Sequence, residues 1–228
     1  MRALGIKGVV RGRRVITTNP FAIALEPMAL QWLTVFALPG RQGEPPVQGG
    51  QFKTGRPNKL WVSDFTYVPT WSGTVYVAFV IDVFARRIVG WRTSTSMKTQ
   101  FVLDALEQAI WQRKTPDNKA LVHHSDRGSQ YLSIKYTERL AEAEIDLSVG
   151  TVGDAYDNAL AECVIGLFKT EVINQIGPWK SMREVEWETL EWVDWYNNRR
   201  ILSPIGYITP AEAEEAFYAN LNTLDMVA

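Results

Sequence analysis

Cysteine and histidine are almost missing from this chain. A single cysteine, Cys163, excludes an internal disulfide framework and any multi-cysteine zinc site, and is the usage expected of a cytosolic protein. Only His123 and His124 are left from which a zinc centre could be built. Long hydrophobic runs are missing too. The most apolar stretch, 21–38, is broken by Glu26 and Pro27, and its uncharged, proline-free part from Met28 to Leu38 spans 11 residues, too short to cross a bilayer. The basic N-terminus leads into Arg13, Arg14 and threonines, not an apolar segment, which argues against a signal peptide. No internal repeat is visible.

What is present is an ordinary globular balance, 46% hydrophobic and 21% charged over 228 residues, enough for one sizeable core and one or two domains. The nine tryptophans are expected to be core or interface anchors. Net charge is only −1, but it is unevenly spread. Residues 1–60 hold nine Lys/Arg against two Glu, and residues 61–228 hold fifteen against twenty-three acids. A basic arm before an acidic body fits a DNA-binding lead-in to a metal-binding enzyme, and equally a solvated tail.

Residues 1–18 are short, basic and interrupted by glycine, 19–38 are apolar without clean periodicity, and 39–57 are rich in Gly and Pro, as a linker is. Regular texture begins at Leu60. Residues 60–69 read as a strand followed by a turn at 71–74, 75–85 as a strand covered on both faces, and 86–95 as a third strand after a tight hairpin. Helical spacing follows over 99–113 behind Thr99 as N-cap. A short strand at 120–126 ends in a glycine turn, an amphipathic helix spans 133–145, and a brief strand spans 146–150. Helices at 158–174 and 181–199 complete the pattern, the first with Leu160, Cys163, Val164, Leu167 and Phe168 as its apolar side. Three strands, a helix, a strand, a helix, a strand and then helices predict an α/β fold with a mixed five-stranded sheet, the element order of a ribonuclease-H-like core, plus a C-terminal helical extension.

Three carboxylates stand out. Asp64 interrupts an apolar strand, where an uncompensated charge is costly, and shares its face with Val62 and Thr66. Asp126 stands where an apolar strand meets a glycine turn, the edge on which α/β sites are built. Glu162 lies one turn into the 158–174 helix, with Lys169 seven residues on and about 20° away around the axis. Glu171 falls on roughly the opposite side and reads as solvated. Singly, each residue has an ordinary explanation: an exposed strand carboxylate, an Asx turn, a salt-bridge face. As a set they suit phosphoryl transfer, in which two divalent cations held by hard oxygen ligands activate one oxygen and stabilise another.

The stretches LWVSDFTYVPTW (60–71), VYVAFVIDVFARRIVGW (75–91), HHSDRGSQY (123–131), GDAYDNALAE (153–162) and YNNRRILSPIGYITPAEAE (196–214) resemble the integrase-core transposases of bacterial insertion sequences, a DDE family with a retroviral-integrase-like fold. The resemblance runs from about Pro57 to Tyr218, about 70% of the chain, and the 35 residues between Asp126 and Glu162 are this family's spacing. It implies Asp64, Asp126 and Glu162 as catalytic metal ligands for two divalent cations, Mg²⁺ or Mn²⁺, and Lys169 as a DNA-phosphate contact. The implied reaction is cleavage at the element's ends, then attack of the exposed 3′-hydroxyl on another phosphodiester, with no covalent enzyme intermediate.

Other positions stay open at this point. Gln130, Tyr156 and Asn158 could touch DNA or serve as turn and cap residues, Asn158 as an N-cap. Asp82 could meet metal or bond to backbone at its hairpin. Of His123 and His124, one is expected to be a packed, hydrogen-bonded core residue. Arg86, Arg87, Arg199 and Arg200 read as surface charges or phosphate contacts.

The resemblance implies DNA, both element ends and target, as partner, a homo-oligomer assembled on it, no membrane, and a cytoplasmic location at the nucleoid. Four segments are expected: a basic remnant of the connecting region (1–18), an irregular segment and linker (19–57), the integrase-like core (58–176) and a C-terminal helical extension (177–228). Full-length relatives carry an N-terminal helix-turn-helix, and this chain begins too late to hold one. Residues 19–53 depart from the family's usual stretch and suit a frameshifted segment. Two competing readings follow: a catalytically silent remnant or DNA-bound assembly subunit, and a ribonuclease-H-like nuclease.

Overall fold

A computed structural model describes residues 54–113, 121–125, 128–149 and 159–225, which fall in one compact unit beginning at Thr54. Five strands form one sheet: β1 (Leu60–Thr70), β2 (Gly73–Asp82), β3 (Arg87–Ser94), β4 (Val122–Ser125) and β5 (Asp146–Val149). They lie in the order β3-β2-β1-β4-β5. The first three form an antiparallel meander. α1 (Thr99–Gln112) then carries the chain across to β4, which runs parallel to β1, and α2 (Ile134–Glu142) leads to β5, parallel to β4. The mixed sheet predicted from the element order is therefore the one formed.

The alternation of side chains along the strands sorts two cores onto the two faces. Val62 and Val68 of β1 join Val75, Val77, Phe79 and Ile81 of β2 on one face. Trp61 joins Ala78, Val80 and Val89 on the other. β2 is buried on both sides along most of its length, as its unbroken apolar run predicted. Pro69, which cannot donate a ladder hydrogen bond, lies outside the part of β1 (Leu60–Ser63) that pairs with β4 among the described residues.

α1 and α2 cover the second face through Phe101, Val102, Leu106, Tyr136 and Leu140. The approach of α1 to β3 is tight: a Cβ at Gly90 would stand 2.2 Å from the Ala105 carbonyl oxygen, so only glycine fits. Thr99 is the first residue of α1 and Lys98 its N-cap, with no side-chain cap bond, which corrects the expected cap by one position.

The first face is covered by α3 (Ala159–Phe168), a π turn (Lys169–Ile173), a last helical turn (Asn174–Ile176) and α4 (Met182–Asn198). The single helix expected over 158–174 thus changes winding at Lys169, because five-residue hydrogen bonding replaces four-residue bonding there. Its buried side consists of Ala161, Val164, Ile165 and Phe168, with Leu160, Cys163 and Leu167 only partly covered. Trp192, Val193 and Tyr196 of α4 share this core with the sheet, so the C-terminal helices are part of the same packed unit.

α5 (Pro210–Asp225) begins with a reciprocal capping box. The Glu212 carboxylate accepts from Thr209 N–H at 2.8 Å, and Thr209 Oγ1 accepts from Glu212 N–H at 3.2 Å.

Candidate active site

β1 delivers Asp64, half-buried, to the face that α3 covers. Backbone groups along β1 alternate between its two neighbours: Leu60 O accepts from Val83 N–H on the β2 side, and Lys59 O accepts from Val122 N–H on the β4 side. By the same alternation Phe65 N–H points to the β4 side. Pairing with β4 is described only as far as Ser63↔Ser125. Asp64 Oδ1 accepts that Phe65 N–H at 2.7 Å, so the carboxylate turns toward the edge of the strand.

Asp126 and Asn158 lie outside the described residues. What is described is the register that leads to Asp126: Ser63 and Ser125 are paired and fully buried, and each directly precedes one of the two aspartates in the chain. Glu162 is exposed on α3 beside the buried Ala161, and α3 packs on β1. Asp64 and Glu162 are thereby brought to one side of the sheet. Among the described residues no three His, Cys, Asp or Glu side chains gather as a metal site.

Lys169 opens the π turn, and its Nζ stands 5.4 Å over the Tyr67 ring centroid. Gln130 is buried: its Nε2 donates to Met97 O at 3.2 Å, and its Oε1 accepts from Ser129 Oγ at 3.4 Å. It ties the turn after β4 to the segment entering α1.

Beneath β1, on the face opposite Asp64, lies a buried polar network. His123 Nε2 is 2.7 Å from Ser63 Oγ and 3.1 Å from Tyr136 Oη, joining β4, β1 and α2. Burial, with a smaller contribution from His124, pushes the His123 imidazole down to about 3, so it is neutral. His124 Nδ1 lies 3.1 Å from Ser148 Oγ on β5. Both histidines are hydrogen-bonded core residues, where one was expected.

Asp82 is fully buried and accepts from Asn58 N–H at 2.7 Å and Phe84 N–H at 2.9 Å, which is the backbone-bonding role. Burial pushes its carboxyl up to about 6, against those two amides and Arg113. One arginine of each pair, Arg87 and Arg200, is engaged in an ion pair, while Arg199 is exposed. Arg87 and Arg113 both donate to the buried Glu214, at 2.7 and 2.5 Å. Arg200 donates to Glu171 at 2.5 Å, and Trp192 Nε1 to the same carboxylate at 3.0 Å. Glu171, expected to be solvated, is largely covered because α4 packs against its side of the π turn. Glu214 was missed altogether. The available signal was helical spacing from Thr209, which puts Glu214 on one face with Phe217 and Tyr218.

The strand order, with one carboxylate inside the central strand and another on the helix packed against it, defines a ribonuclease-H-like integrase core of the DDE polynucleotidyl-transferase class. Integrase core domain families match residues 55–155 and 143–210. The chain is similar to the HTLV-2 integrase catalytic core domain, solved in complex with magnesium, with a TM-score of 0.55 and 16% identity, over 71% of this chain and 99% of that one. It is 51% identical to the transposase for insertion sequence element IS629 of Shigella sonnei, over 100% of this chain and 70% of that protein. It is 48% identical to the putative transposase for IS986/IS6110 of Mycobacterium tuberculosis (strain ATCC 25177 / H37Ra), over 96% of this chain and 74% of that protein. The chain belongs to the bacterial insertion-sequence transposases with an integrase core, and its function is DNA transposition. No helix among the described residues is long and apolar enough to cross a membrane.

Proposed function

We propose that this transposase cuts at the ends of its element to expose a 3′-hydroxyl, and joins that hydroxyl to a target phosphodiester, with Asp64, Asp126 and Glu162 as the carboxylates that hold two divalent cations, Mg²⁺ or Mn²⁺. The observation that carries this reading is the parallel register Ser63↔Ser125, under a helix that bears Glu162. Each serine is the chain neighbour of an aspartate. The donor set fits: carboxylate oxygens from separate elements suit hard cations that keep several waters. When bound, the cations supply activation of the attacking oxygen and stabilisation of the leaving one. In the joining step a new phosphorus–oxygen bond forms as the target's bond to its 3′-oxygen breaks. The phosphodiester count is unchanged and no energy source is needed.

The chain's own residues orient the partners. Lys169 is the phosphate contact, its ammonium held beside Asp64's strand by the Tyr67 ring. Gln130 acts on DNA through the turn it shapes after β4, and Asn158 contacts DNA at the start of α3. A homo-oligomer assembled on two DNA ends, in the cytoplasm at the nucleoid, and a division into core (58–176) and helical extension (177–228) belong to the same reading.

Purified protein with Mg²⁺ or Mn²⁺ and a pre-cut DNA end is expected to join strands, and Asp126→Asn to abolish joining with an unchanged melting temperature. Equal activity of the two proteins would overturn the assignment. DNA binding without joining would make the chain an assembly subunit, and activity confined to RNA–DNA hybrids would make it a nuclease.

A further inference from the structure

The tip of the β1–β2 hairpin carries two large aromatic side chains in solvent: Tyr67 is 64% exposed and Trp71 73%. Single exposed aromatics are common. Three observations set this pair apart. First, the backbone beneath them is fixed. Trp71 N–H donates to Trp179 O at 3.0 Å, Ser72 Oγ to Lys180 O at 2.8 Å, and Thr70 Oγ1 to Gly73 O at 2.6 Å. Tyr67 is also held in register opposite Tyr76. Second, only one side of this strand segment is open: Tyr67 and Pro69 are exposed, while the intervening Val68 is fully buried. Third, a cation is already mounted there, Lys169 Nζ 5.4 Å from the Tyr67 ring centroid.

A ring stacks on any nucleobase, and an ammonium pairs with any phosphate. Aromatic faces combined with positive charge are how proteins hold single strands without reading sequence. Tyr67 is three residues from Asp64 on the same strand, about 10 Å away at the usual strand rise and pointing to the opposite face, and Lys169, on the turn that follows α3, meets its ring. We propose that Tyr67, Lys169 and Trp71 form a stacking track for unpaired nucleotides of a DNA strand that runs along the β1–β2 hairpin, away from the reaction centre: bases lie on the free face of Tyr67 and on Trp71, and a phosphate meets Lys169. The proposal rests on DNA being the substrate and on Lys169 as its phosphate contact.

The test compares binding of a blunt duplex with binding of the same duplex carrying an unpaired oligo(dT) arm. The native chain binds the armed duplex more tightly. Tyr67→Thr, which keeps a strand-forming residue, lowers the armed-over-blunt affinity ratio roughly five- to hundredfold, the usual range for loss of one stacked base; any loss it shares with the blunt duplex reports the Lys169 ammonium that the ring holds. Tyr67→Phe keeps the preference, and Trp71→Ala lowers it. Melting temperatures of all variants match the native chain. No preference in the native chain, or a preference that survives both Tyr67→Thr and Trp71→Ala, overturns the track. Lys169→Ala tests the underlying reading separately: it weakens binding to both duplexes and lowers the salt dependence. If Lys169→Ala has that effect while Tyr67→Thr has none, the track fails and the phosphate contact stands. If Lys169→Ala changes neither affinity nor salt dependence, the phosphate contact itself is wrong.

Discussion

Ser63 Oγ lies 2.7 Å from His123 Nε2 although His123 is in register with Trp61, so the bond runs diagonally between two parallel strands. It joins the strand that carries Asp64 to the one that leads into Asp126, and it is made by a neutral imidazole.

Stability should therefore depend on pH. His123 has its folded pKa lowered from 6.5 to about 3. Between these values the unfolded chain binds the proton and the folded chain does not. The stabilisation is complete above 6.5 and is lost as pH falls toward 3, up to about 5 kcal/mol if the whole shift is realised. Asp82 works the other way: its pKa is raised from 3.8 to about 6, so its contribution falls as pH rises through that window. Urea unfolding at pH 4, 5 and 7 should show His123→Gln losing less stability on acidification than the native chain. Parallel curves for the two would show that His123 does not govern the acid limb.

Gly90→Ala should loosen α1. The added methyl has nowhere to go, with Ala105 O at 2.2 Å and Ala109 N at 3.0 Å, both backbone. The expected loss is about 1–3 kcal/mol, typical of overpacking, read as a lower melting temperature. An unchanged melting temperature would mean that α1 can move away freely.

Glu214→Gln should be among the most destabilising exposed-looking changes in the sequence. It leaves Arg113, whose side chain is only 11% exposed, and Arg87 without their carboxylate. Breaking a buried pair costs about 3–5 kcal/mol, and the one-third exposure of Arg87 lowers the expectation to about 2–4 kcal/mol. Denaturant unfolding measures it, and a loss under about 0.5 kcal/mol would show that solvent replaces the carboxylate.

Asp64→Asn and Glu162→Gln should each lower strand joining beyond the roughly 10- to 100-fold that loss of an outer-shell partner costs a metal enzyme, and leave DNA affinity in metal-free buffer nearly unchanged. A matching loss of metal-free binding would show that these residues shape the DNA surface instead.

The sheet was legible because its strands are written in β-branched and aromatic residues with turn residues between them, and Asp64 was legible as a charge inside such a run. Less was legible where one residue alters a helix. Five residues in a π turn and five in an α-helix have the same apolar texture, so the change of winding at Lys169 left no trace in the spacing. Glu171 read as solvated because a glutamate on a helix usually is, and Glu214 drew no reading at all; the arginines that pair with them lie 29 and 101 to 127 positions away. Gly90 drew no reading from the sequence, because the backbone that approaches it belongs to α1, 15 to 19 positions on. The buried acceptor role of Asp82 was one of two readings, decided by the amides of Asn58, just before β1, and Phe84, just after β2.

The ion pairs of Glu214 also bear on where the protein can be cut. A fragment ending at residue 176, after the last of the three proposed metal ligands, would discard Glu214, the carboxylate that pairs with Arg87 and Arg113, together with Trp192, Val193 and Tyr196 from beneath the sheet. Such a fragment is expected to be insoluble on expression. One that runs through α5 should stay in solution, and the practical boundary of the folding unit is thus set by a carboxylate beyond every proposed metal ligand in the chain.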